Sequence, residues 1–152
     1  MKYLILGCGP AGIAAAKAIR AKDPKGEIVI ATEEKSPPYV RPLLTEVIAG
    51  RMERTAISDP QAADLAEKGI EVRSGMRAES IDSPGNRVIF PDGTGLPYDS
   101  LLVATGGKPG IPDALSKGTI EACVIPWEVV PAVKVHELTK FHSEFDNTGG
   151  AL

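Results

Sequence analysis

The chain has 152 residues, 43% hydrophobic and 24% charged, with a net charge of -3 and a sequence pI near 5.4. That is one domain of ordinary size with material for a real core, and it lacks the basic face that a nucleic-acid partner demands. No apolar run approaches the roughly 20 residues that span a bilayer, aromatics at 5% leave little for base stacking, and two cysteines make no disulfide framework.

A strand is expected over residues 2–6, with one lysine and no signal-like core or cleavage site around it. Gly7-Cys-Gly-Pro-Ala-Gly12 follows, and then an alanine-rich helix over residues 11–22 whose apolar face is Ile13, Ala16 and Ile19. Strand, glycine turn and helix in that order are the context in which G-x-G-x-x-G signals a dinucleotide site. Gly7 permits the tight turn, Gly9 admits a pyrophosphate to the backbone, and Gly12 lets helix and strand pack closely. The phosphates would sit on free amides at the positive end of the helix dipole. Asp23 to Gly26 is a turn, and Glu27 to Ala31 is a continuous apolar strand of the kind buried in parallel sheets. Glu33 lies just past that strand, where a nucleotide-binding unit places the carboxylate that accepts the ribose hydroxyls.

Ser36 to Leu44 is a loop stiffened by three prolines, followed by a short helix to Ile48 and a helix stop at Gly50. Ser58 or Asp59 before Pro60 predicts a helix start, with the helix running to about Lys68 and ending at Gly69. Ile70 to Arg73 is a short strand. Arg77–Asp82, Arg87–Phe90 and Leu96–Tyr98 read as three antiparallel strands, joined by turns at 83–86 and 91–94. Leu101 to Ala104 is another buried strand, ended by Thr105-Gly-Gly107. Beyond Pro109 the pattern weakens: prolines punctuate the chain, 133–145 suits a short amphipathic helix, and 147–152 reads as a frayed end. There is no internal repeat.

Several isolated residues invite a functional reading. Cys8 sits at a helix N-terminus, where the dipole can lower a thiol pKa, but a small buried packing residue is the better expectation. Cys123 reads as core, and Trp127 as a hydrophobic plug or an interface residue. His136 and His142 lie in "HELTKFH", which fails the H-E-x-x-H zinc pattern because Lys140 occupies the second histidine's place. No metal site is expected, and no Ser-His-Asp or Cys-His arrangement offers a catalytic residue.

Three motifs in order carry a family resemblance: GCGPAG with Glu33, then "PPYVRPLLTEVIAG", then "PYDSLLVATGGKP". Together they resemble the N-terminal flavin-binding segment of the pyridine nucleotide-disulfide oxidoreductase superfamily, in particular its rubredoxin, ferredoxin and nitrite reductase-like members. The resemblance implies an α/β fold, a three-layer Rossmann-like domain with a parallel sheet and a small antiparallel element. It also implies FAD held by Gly7, Gly9, Pro10, Ala11 and Gly12 at the pyrophosphate and by Glu33 at the adenosine ribose. Arg41 would be a cationic contact and Pro42 would lie near the flavin side; the backbone of Ala78 would face adenine, and Ala104, Thr105 and Gly106 would pass the phosphates and ribitol. The activity implied is electron transfer from NAD(P)H through FAD to a protein or small acceptor.

Departures from the family pattern narrow this. Residues 38–50 hold no cysteine, so thiol-disulfide chemistry at the flavin is not expected. Glu46 stands where some members place a lysine, closer to the rubredoxin-reductase pattern. No second glycine fingerprint for NAD(P)H follows residue 12. The expected division is a flavin-binding segment over residues 1–112 and a divergent one over 113–152, incomplete relative to the family. A fragment of a larger oxidoreductase, a short subunit completed by a partner, and a nucleotide-binding module without catalysis all remain open. An open sheet edge would favour a homo-oligomer or a complementary subunit, and a cytoplasmic setting with no membrane, metal or nucleic-acid partner is expected.

Overall fold

The computed structural model describes residues 1–107. The expectations placed on the C-terminal segment, including the 133–145 helix, the frayed end, Cys123, Trp127 and the two histidines, lie outside the described residues. In chain order the elements are β1 (Lys2–Leu6), α1 (Pro10–Lys22), β2 (Glu27–Thr32), α2 (Leu44–Ile48), β3 (Ile70–Ser74), β4 (Ser80–Asp82), β5 (Arg87–Ile89), β6 (Gly95–Pro97) and β7 (Ser100–Val103), with single 3-10 turns at Arg41–Leu43, Arg54–Ile57 and Pro60–Ala62. They fall into two compact units: Met1–Tyr39 with Asp59–Gly106, and a second whose described part is Val40–Ser58 with Gly107.

The first unit is built on a parallel sheet in the order β3-β2-β1-β7, with Leu4 beside Val29 and Leu101, and Ile5 beside Ile30 and Leu102. Because strand side chains alternate, the continuous apolar runs of β1 and β2 feed two separate cores. Ile5, Ile28 and Ile30 meet Ile13 and Ala16 of α1 together with Leu65 and Ile70. Leu4, Leu6, Val29 and Ala31 meet Val88 of β5 and Phe90 just past its end, on the side of a three-stranded antiparallel sheet β4-β5-β6. Helix, parallel sheet and antiparallel sheet are the three expected layers. They run out at β7, where Leu102 is 39% and Val103 57% exposed, so the strand expected to be buried there is instead an exposed edge, paired on one side to β1 alone.

Arg20, in the last turn of α1, ties the bottom of the helix layer together. Its guanidinium donates to five backbone carbonyls: Asp23, Pro24 and Gly26 in the turn before β2, and Lys68 and Gly69 in the turn before β3, at 2.8 to 3.2 Å. Five donors in a fixed fork suit such a cluster of acceptors.

Two further expectations are corrected. The helix over 59–68 is a single 3-10 turn followed by further turns. Asp59 does cap the amide of Gln61, at 2.8 Å, yet Leu65 is the one buried residue of the segment. Asp64 is drawn to Lys17 on α1 at 2.7 Å and to Lys68 at 3.2 Å, and Ile70 donates to the Leu65 carbonyl at 2.9 Å. Side-chain and turn contacts outweigh a helix too short to sustain itself. The second correction is the first antiparallel strand, which begins at Ser80 rather than Arg77. Met76 instead donates to the Thr32 carbonyl at 2.8 Å, so the chain up to that point stays against the end of β2.

In the second unit, Val40 donates to the carbonyl of Ile57 at 2.8 Å, closing a loop around α2, and Gly50 ends that helix at φ +67°. Arg51 grips Glu46 through two hydrogen bonds of 2.6 and 2.9 Å. That fork pulls the carboxyl of Glu46 below its ordinary range.

Candidate nucleotide-binding site

The chain leaves β1 toward β2 on one side and returns at β7 on the other, so the sheet reverses its winding between β1 and β7. Crevices at such a reversal, outside the carboxyl ends of the strands, are where open α/β sheets bind ligands. Here that position lies between the turn after β1 and the end of β7, joined where Ala104 donates to the Leu6 carbonyl at 2.8 Å.

Each glycine of the turn has its own physical reason. Gly7 takes φ +105°, which glycine alone adopts readily, and a Cβ there would strike the carbonyl oxygen of Ala104. A Cβ on Gly12 would strike the carbonyl oxygen of Gly7, because the first turn of α1 lies directly on the end of β1. Gly9 differs: a Cβ there would meet nothing within 4 Å. Its φ of -84° suits any residue, so neither protein packing nor backbone strain demands glycine.

The start of α1 suits an anion. Gly9 is its N-cap with no side-chain cap, no acidic residue occupies the first turn, and Arg20 and Lys22 occupy the last. Pro10 brings no N–H, Ile13 donates to the Gly9 carbonyl at 3.0 Å, and the amides of Ala11 and Gly12 have no acceptor within the helix. Their donors and the helix dipole point the same way. A pyrophosphate fits these residues: bare backbone at Gly9, free donors behind it, and no carboxylate in the helix's first turn.

The other predicted residues distribute as follows. Glu33 stands exposed immediately past β2, on the same carboxyl edge of the sheet, 3.7 Å from Arg77. Ala78 is half-buried against the second core. Thr105 and Gly106 are exposed past β7, with Gly106 at φ +71°. Arg41 and Pro42 open the 3-10 turn of the second unit and are both exposed. Sequence reading missed Arg77, having assigned it to a strand.

Cys8 behaves as a packing residue of the turn. Burial pushes its thiol up to about 11, with the carboxylates of Glu34 and Asp59 adding to the effect, so desolvation overrides the dipole. Since the unfolded thiol ionises near 9.0, the unfolded chain releases a proton first as pH rises. Stability should therefore be intact below pH 9 and fall between 9 and 11. Denaturant titrations across that range should show the fall in the wild type and a weaker one in Cys8→Ala; parallel curves would contradict it. Among the described residues no group of three or more His, Cys, Asp or Glu could hold a metal ion, and no helix is long and apolar enough to cross a membrane.

The chain has many relatives. The sequence model of one family, pyridine nucleotide-disulphide oxidoreductase, matches residues 1–128. The ferredoxin–NAD(+) reductase component of the anthranilate 1,2-dioxygenase system of Burkholderia cepacia is 35% identical over 109 residues, which are 70% of this chain and 26% of that protein. The NADH-rubredoxin oxidoreductase of Clostridium acetobutylicum is 36% identical over 105 residues, 69% of this chain and 27% of its own. The crystal structure of the Clostridium acetobutylicum NADH:rubredoxin oxidoreductase superposes with a TM-score of 0.74 at 30% identity, covering 92% of this chain and 36% of that one. The chain thus spans about a quarter of the length of these curated relatives.

Proposed function

The chain belongs to the pyridine nucleotide-disulphide oxidoreductase family, and from that premise we propose that it is the FAD-binding portion of an NAD(P)H-dependent flavoprotein oxidoreductase. The observation that carries this reading is the turn after β1, where Gly9 caps α1 with open space beside its backbone and the amides of Ala11 and Gly12 have no acceptor within the helix. The backbone of Gly7, Gly9, Pro10, Ala11 and Gly12 holds the pyrophosphate, and Glu33 accepts the hydroxyls of the adenosine ribose. Ala78 presents its backbone to adenine, Ala104, Thr105 and Gly106 border the phosphates and ribitol, Arg41 supplies a cation to the cofactor, and Pro42 lies on the flavin side. Bound FAD supplies the redox chemistry, and the protein's part is to orient it and tune its electronics. No side chain is assigned a catalytic role. Electrons pass from NAD(P)H to a protein acceptor of the ferredoxin or rubredoxin kind, by analogy with the relatives' names, and the cytoplasm is the setting proposed for a chain with two cysteines and no disulfide framework. Residues 1–112 form the flavin-binding segment and residues 113–152 a divergent one.

A second reading is favoured by the bare faces of β7: a nucleotide-binding module or split subunit without catalysis of its own, completed by another copy or a complementary chain. A visible spectrum of the purified protein and a titration with FAD test the main reading. Flavin absorbance that stays with the protein through gel filtration is expected. A colourless protein that takes up no FAD would overturn it.

A further inference from the structure

Beside Glu33 stands a residue that no motif assigns. The backbone places it there: β2 and β3 run in parallel register with Thr32 beside Ser74, and both strands end together. Gly75 then turns at φ +73° and donates to the Glu34 carbonyl at 3.2 Å, while Met76 donates to the Thr32 carbonyl at 2.8 Å. Thr32 in turn accepts the Glu34 amide on its hydroxyl at 3.3 Å. The two loops are thus pinned to each other on either side of Glu33 and immediately before Arg77, and the guanidinium comes to 3.7 Å from the Glu33 carboxylate.

We propose that Arg77 is a positioning residue for the nucleotide site: it aims the Glu33 carboxylate for the ribose hydroxyls without occupying it. The inference rests on the nucleotide reading above. At 3.7 Å the pair is an ion pair longer than a hydrogen bond, so the acceptor sites of Glu33 stay open to ligand hydroxyls. Both side chains are more than half exposed, at 62% and 56%, so such a pair adds little to folding. Charge points the same way. Of the adjacent carboxylates Glu33 and Glu34, the Arg77 cation faces that of Glu33 and fixes its direction.

The test is calorimetric, on the full chain, with ADP and 2′-deoxy-ADP as probes. Both share the pyrophosphate contacts and differ in one hydroxyl, so their affinity ratio reads the ribose contact alone. Wild type should prefer ADP by about tenfold, the scale of one hydrogen bond to a charged acceptor. Arg77→Ala should bring that ratio close to one chiefly by weakening ADP, Arg77→Lys should restore most of it, and Glu33→Gln should abolish it whether or not Arg77 is present. An unchanged ratio in Arg77→Ala, or equal weakening of both probes, would overturn the role of Arg77 and leave the nucleotide reading standing. Failure of the wild type to bind either probe would overturn both.

Discussion

Replacing Gly12 by alanine is expected to destabilise the first unit by about 3 kcal/mol, the upper range for forcing extra volume into a packed site. The new methyl would overlap the Gly7 carbonyl oxygen, and that oxygen belongs to a turn pinned by the Gly7 amide to Ala31 at 2.8 Å. Neither partner is the loose end of a flexible side chain, so relief requires α1 to lift away from β1. That would open the core formed by Ile13 and Ala16 against Ile5, Ile28 and Ile30. Gly9→Ala is the matched control with the opposite signature. Its methyl enters empty space at a permitted φ, so the loss of stability should be limited to about 1 kcal/mol, the scale of the preference for glycine over alanine at a helix N-cap. Affinity for FAD or ADP should drop by at least about tenfold, because a methyl then occupies the ground a pyrophosphate needs. Urea unfolding and nucleotide titration of both variants separate the two effects. If Gly9→Ala bound nucleotide as tightly as wild type, the turn after β1 would not be the phosphate site.

Arg20→Met should cost a comparable amount, about 3 kcal/mol, while leaving nucleotide affinity per folded molecule unchanged. Methionine keeps the apolar stem and removes only the guanidinium, which five carbonyls share. A single hydrogen bond from a charged donor is worth about 1.5–3 kcal/mol. Five on one group are far from additive, since the exposed carbonyls of Lys68, Pro24 and Gly69 can turn to water. The part-buried carbonyls of Asp23 and Gly26 carry most of the cost. Arg20→Lys should recover less than half, because one ammonium cannot reach both turns. A variant as stable as wild type in urea would show that the two turns hold themselves.

Much of this was legible in the sequence, for physical reasons that differ by element. The strands β1 and β2 are apolar runs bounded by glycine and charge, and burial leaves such runs little alternative; β7 has the same pattern but pairs at the exposed edge. Gly7, Gly9 and Gly12 were assigned three separate demands, and the coordinates separate them the same way for packing: two protein collisions and one open position. Glu33 was placed by its position after β2. What the sequence concealed depended on distant parts of the chain. The 59–68 segment, with three alanines and a proline at its start, suggests a helix, but its conformation answers to Lys17 and Leu65. Arg77 resembled the first residue of a strand until the pinning of Met76 to Thr32 moved the strand start to Ser80. Cys8 invited a reactive reading from local position alone, whereas burial and two carboxylates from elsewhere in the fold set its thiol.

The adjacency of β1 and β7 also constrains how the molecule comes into being. Tyr3 pairs beside Ser100, and Lys2 and Asp99, separated by 97 residues, exchange backbone and side-chain contacts. The β1-α1-β2 hairpin of layers can close early from local contacts, but the fourth strand cannot join until almost everything between has been synthesised. Contacts across so long a separation are slow to form, because the entropy of closing the loop comes before any gain. During translation, one side of β1 therefore waits with its backbone amides and carbonyls unpaired while residues 7–99 emerge. At about 5–20 residues per second that wait lasts several seconds or more, time enough for a ribosome-associated chaperone or a second nascent chain to reach the strand before its own partner does.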